Sequence, residues 1–175
     1  MTDYHQLSIT EISQSVSADK LDEMQHQADA WHGLAYLLDA QLARLDAVMG
    51  ELATAWGGPA GEAFAAEVAK TKATLTHARD VAKTNAASWG QVINEASSTR
   101  ENIYRLEGQY RAEVAKAQAK FTADQDDWRN NPIFDALGIT DPPTPPSDAV
   151  IRAKYDQQAH AALDHASSRY AETFH

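Results

Sequence analysis

Ala55-Trp56-Gly57-Gly58-Pro59-Ala60-Gly61-Glu62-Ala63-Phe64 is the stretch whose reading decides the fold. Gly57 and Gly58 lack Cβ and suit the positive φ that a helix C-terminus often requires. Pro59 has no N–H and suits the first turn of a new helix, where that donor would have no partner. Trp56 closes the preceding pattern and is expected to wedge into the elbow. The tetrapeptide Trp56-Gly57-Gly58-Pro59 is therefore read as the turn of a helical hairpin, because long helical periodicities flank it on both sides.

On the N-terminal side, apolar residues fall at Leu21, Met24, Ala28, Trp31, Ala35, Leu38, Leu42, Leu45, Met49, Leu52 and Trp56. The steps alternate three and four without a miss, the spacing that keeps one stripe facing a partner helix. The expected helix, residues 19–56, is about 57 Å long at 1.5 Å per residue. Leu34, Tyr36 and Val48 widen the stripe beyond one seam, so more than one neighbour is expected. Ser17 or Asp19 is the expected cap.

On the C-terminal side the expected helix covers residues 60–125. Its seam reads Phe64, Val68, Thr71, Leu75, Ala78, Ala82, Asn85, Trp89, Val92, Ala96, Thr99, Ile103, Leu106 and Tyr110. Two successive steps of four, to Tyr110 and then Val114, form a stutter beside Gly108, so a bend or a change of packing partner is expected near residues 106–112. This helix overshoots the first, and its far half needs another neighbour.

Proline placement marks the remaining joints. The six prolines are Pro59, Pro132, Pro142, Pro143, Pro145 and Pro146. Each would cost about 3 kcal/mol inside a helix, so the long proline-free stretches are free to be helical. Residues 129–147 form an apolar tip (Ile133, Phe134, Leu137, Ile139) followed by a stiff connector, Asp141-Pro-Pro-Thr-Pro-Pro-Ser147. A final helix, within residues 148–175, carries Ile151, Tyr155, Ala159, Ala162, Leu163, Ala166, Tyr170 and Phe174 on one side. It is expected to fold back on the overshooting half of the second helix. Residues 1–17 read as an extended lead-in with one helical turn, and residues 18–128 as the hairpin. The expected fold class is an all-α, elongated helical bundle.

Composition bounds the function. The 175 residues suffice for one modest domain, and with no cysteine there is no disulfide or thiolate chemistry. A formal net charge of −10 argues against nucleic acid and anionic membrane as partners. No apolar run approaches the roughly 20 residues of a membrane span, and residues 1–16 lack the basic and apolar regions of a cleavable signal peptide.

Catalytic chemistry has little to stand on. Glu23-x-x-His26 and Asp29-x-x-His32 have the spacing of carboxylate–histidine bundle sites, but the seam turns Met24, Ala28 and Trp31 inward and these pairs outward. His160 and His165, five residues apart, lie on different faces. No phosphate loop, nucleophile elbow or metalloprotease motif is present. The expectation is a non-enzymatic protein with no catalytic, cofactor-binding or metal-binding residues and no cofactor.

Two long helices joined by Trp56-Gly57-Gly58 resemble the WXG-motif family, the helical-hairpin substrates of type VII (ESX-like) secretion systems. Trp56 and Gly58 match the motif, and Ala60, Ala63 and Phe64 match the small and aromatic positions after it. The resemblance covers roughly residues 18–100. Beyond it, the long second helix, apolar tip, proline-rich segment and final helix are similar in layout to the PPE-type and EspB-like secreted proteins.

The resemblance implies protein partners (a secretion ATPase, a chaperone at the tip, a partner hairpin or further copies of the chain). It also implies release from the cell or display at its surface by a route without a cleaved signal. The family's Tyr-x-x-x-Asp/Glu export signal is missing. Gly108, Val114, Ala159 and Phe174 stand four residues beyond Tyr104, Tyr110, Tyr155 and Tyr170. Tyr155 and Tyr170, on the final helix, are the candidates to replace it. Two other readings use the same pattern: a chaperone-like targeting domain for a larger secreted toxin, and a coiled-coil scaffold.

Overall fold

The computed structural model describes residues 4–17, 20–133, 137 and 141–173. The fold is an all-α helical bundle, with no strand among the described residues. A 3-10 turn, Tyr4–Gln6, precedes α1 (Ile9–Ser17), α2 (Leu21–Ala55), α3 (Pro59–Asn130) and α4 (Asp148–Thr173). The chain divides into two compact units. One comprises Met1–Asp19 with Ala96–Arg169, the other Lys20–Glu95 with Tyr170–His175.

The first unit holds the large buried side chains. Ile9, Ile12 and Val16 of α1 meet Ile103 and Leu106 of α3 and Tyr155 and Ala159 of α4. Leu7, Tyr110, Ile151 and Leu163 pack around them. Burying three branched side chains contributes on the order of 5–9 kcal/mol as an upper bound. The final helix does pack on the far half of the second, as its periodicity predicts.

The N-terminal segment differs from the extended lead-in expected of it. A reciprocal capping box starts α1. The Ser8 N–H donates to Glu11 Oε2 at 2.9 Å, and the Glu11 N–H reaches Ser8 Oγ at 3.4 Å. These bonds satisfy N–H groups that a helix start leaves free. Neighbouring helices supply further anchors. Asp156 accepts the Ile9 N–H at 2.6 Å, and Glu107 accepts the Ser13 hydroxyl at 2.6 Å. Tyr4 donates its phenol proton to Asp164 at 2.7 Å, and Leu7 O lies 2.9 Å from His160 Nε2. The segment is thus a third helix of the bundle.

The second unit is built on the α2–α3 hairpin and includes the last residues of α4. Its buried residues are mostly alanines: Ala28 and Ala35 with Leu42 on α2, and Ala82 and Ala86 with Val92 on α3. The heptad spacing of the α2 set is the seam read from the sequence. On α3 the seam runs in a different phase near the elbow. Thr71 and Ala78 are exposed, whereas Lys72 and Arg79 are half-buried. Each has an aliphatic stem long enough to line the interface and carry its charge outward. Lys72 pairs with Asp46 on α2 and Lys83 with Asp39 at 2.9 Å, while Arg79 bonds Asp80 on its own helix at 2.7 Å and also reaches Asp39 at 3.4 Å.

Three boundaries also move. The N-cap of α2 is Lys20, without a side-chain capping bond, and the Ser17 hydroxyl donates to Gln14 O instead. Asp19 lies outside the described residues. Helix α3 continues to Asn130, past residue 125, and remains helical through Gly108. The change of packing partner falls at Ala96 rather than at 106–112, where α3 leaves the α2 unit for that of α1 and α4.

Candidate interaction site at the hairpin elbow

Helix α2 ends because Trp56, its C-cap, turns extended (φ −135°, ψ 103°) while its N–H still donates to Leu52 O at 2.8 Å. Gly58 then adopts φ 85°, a conformation that L side chains rarely take. Pro59 opens α3, and the Glu62 N–H closes the first turn onto Gly58 O at 3.1 Å. Of the two glycines, only Gly58 has the positive φ.

Gly61 is the residue that motif reading underrated. A Cβ built on it would stand 2.7 Å from the carbonyl oxygen of Trp56. The elbow is tight because position 61 has no side chain. The signal was present in the sequence as a third glycine one helical turn from the joint, but only the backbone path of Trp56 assigns its role.

The tight turn holds Trp56 outward. Its side chain does not wedge into the elbow as expected. Trp56 is 46% exposed and Phe64 41% exposed, and their rings meet at a centroid distance of 5.6 Å, tilted by 40°. An open groove of about 260 Å³ runs beside them, walled by Met49, Leu52 and Ala65 as well as the two rings. Leu34, Leu37, Val48 and Val81 of the same hairpin are also exposed. The hairpin buries only a narrow seam, so the large apolar groups that the α2 stripe presents on its flank stay at the surface.

The other candidate residues are dispersed. Ile133 and Leu137 are 60% and 69% exposed, with the Leu137 N–H donating to Ile133 O at 3.0 Å. Phe134 and Ile139 lie outside the described residues, as does Phe174. Tyr155 is in the core of the first unit, 6% exposed, and donates its phenol proton to Glu113 at 2.8 Å. That bond to a carboxylate, reinforced by burial, raises the Tyr155 pKa. Lys154 and then Tyr155, both bonded to Glu113, hold the carboxyl pKa below its ordinary value. Tyr155 is thus a fastening of α4 to α3, and Tyr170, half-buried, belongs to the other unit. The structure does not bring the two tyrosines into one site.

Glu23, His26, Asp29 and His32 are exposed on α2, where Glu23 pairs with Lys20 at 2.7 Å and Asp29 accepts from Gln25 at 2.9 Å. Among the described residues, no three or more His, Asp or Glu side chains are grouped to hold a metal ion. Within them no helix is long and apolar enough to cross a membrane.

Comparison with protein-family models, with curated proteins and with solved structures finds no match. The class of protein defined by fold and site is an all-α helical bundle that presents a paired aromatic surface at a glycine-built elbow.

Proposed function

We propose that this chain is a non-enzymatic substrate or partner protein of a type VII secretion system, acting through helix–helix contacts. The observation that carries the reading is the elbow. Trp56 and Phe64 stand half-exposed beside an apolar groove, between two long helices, on a turn that requires glycine at 58 and 61. An aromatic pair this exposed costs hydration free energy unless a partner covers it. The exposed Leu34, Leu37, Val48 and Val81 of the hairpin support a second helical layer supplied by another protein.

The reading makes the hairpin the interaction module and the α1–α3–α4 unit its stable companion. With Tyr155 used internally, an export signal would come from Tyr170, from the elbow itself or from the partner. Trp56→Ala tests this. The side chain is half-exposed at a helix C-cap, so the variant is expected to fold and to lose export. Full export of a folded Trp56→Ala protein would count against it.

A further inference from the structure

We propose that Asp141–Ser147 is a docking segment for a protein domain with an aromatic-lined groove that carries a neighbouring positive charge. The inference is independent of the secretion reading.

Four of the seven residues are prolines, with φ held near −65° and no N–H. Asp141, Pro142, Thr144 and Pro145 each precede a proline, which drives them from helical to extended backbone. The segment accordingly has neither helix nor strand, and every residue in it is exposed except Pro143, which is half-buried. Its C-terminal end is held, because Ser147 O accepts the Val150 N–H at 3.2 Å as α4 begins.

A polyproline II helix has three residues per turn and rises about 3.1 Å per residue, so five residues span about 15 Å. Three ridges result. Pro142 and Pro145 share one, Pro143 and Pro146 another, and Asp141, Thr144 and Ser147 the third. Pro142 and Pro145 are both exposed, whereas the second ridge is half-buried at Pro143 and exposed at Pro146, so the Pro142/Pro145 ridge, with exposed Asp141 at its edge, is the proline ridge open along its length. This pairing of prolines three apart is what aromatic-lined grooves receive, and a segment stiffened beforehand loses little chain entropy on binding. Asp141 is exposed, and the chain carries net charge −10. A cation beside the partner's groove complements both.

The test uses the full-length chain and purified SH3, WW and EVH1 domains as probes in biolayer interferometry. At least one domain is expected to bind saturably. The double variant Pro142→Ala/Pro145→Ala should weaken that binding about tenfold or more while the helical circular dichroism is unchanged. Asp141→Lys, which leaves every proline in place, should weaken it at low salt and less so at high salt. It decides the matter if the double variant loses helical signal. No saturable binding by any probe, or equal affinity for the parent chain and a folded double variant, would overturn the proposal and leave the segment a spacer.

Discussion

Replacing Gly61 by alanine cancels or inverts the usual effect of such a substitution. In an open helical position, alanine is favoured over glycine by about 1 kcal/mol. At Gly61 the new Cβ would lie 2.7 Å from Trp56 O, which is main chain and not a side chain that can rotate away. Relief requires the elbow to open by several tenths of an ångström, and overpacking of this kind costs about 1–3 kcal/mol. The net expectation is a change between neutral and a destabilisation of about 2 kcal/mol. Gly50 is the internal control. It is exposed in α2, in the same hairpin, and a Cβ there meets nothing within 4 Å. Gly50→Ala should stabilise by about 0.5–1 kcal/mol. The two variants should separate by several degrees in thermal unfolding followed at 222 nm, at roughly 2–4 °C per kcal/mol. Gly61→Ala matching or exceeding Gly50→Ala in stability would refute the close approach at the elbow.

Two further expectations concern the first unit. Ile12, 1% exposed, should cost about 2–5 kcal/mol when truncated to alanine, and hydrogen exchange should rise in α4 as well as α1. Unchanged protection of α4 would mean that α1 is not part of the bundle. Glu113 gives a pH dependence. Its pKa is lowered in the folded state by Lys154 and then Tyr155, so its contribution is present above the unfolded carboxyl pKa and is lost as pH falls through the lower folded value. Stability should therefore decline with acidification through and below the ordinary glutamate range. Glu113→Gln should flatten that decline, and identical pH profiles in chemical denaturation would remove Glu113 from the account.

The long elements were legible because their signals are redundant. The α2 seam repeats over many residues, and no proline interrupts either hairpin helix. The elbow was legible for the same reason, since Gly58 and Pro59 each require a local conformation that the other supports. Helix α1 was missed because Leu7 and Ile9 alternate like a strand, although Ser8-x-x-Glu11 is a capping box and Ile9, Ile12 and Val16 keep helical spacing. Its packing partners Ile103, Leu106 and Tyr155 and its carboxylate anchors Asp156 and Glu107 lie far away in the chain and carry no local signal.

The α3 seam slipped near the elbow because hydrophobicity ranks Lys72 and Arg79 as surface, whereas their stems are long enough to line an interface and still reach Asp46 and Asp39. Tyr155 looked available for recognition because its spacing says only that it shares a face with Ala159. That Glu113 stands opposite its hydroxyl is a tertiary fact.

The most direct measurement is export from host cells with an intact or a disabled type VII secretion ATPase, with the protein quantified in culture supernatant and in cell lysate. The account predicts release in the first strain and retention in the second at equal expression. Equal amounts in both supernatants, or none in either, would contradict it.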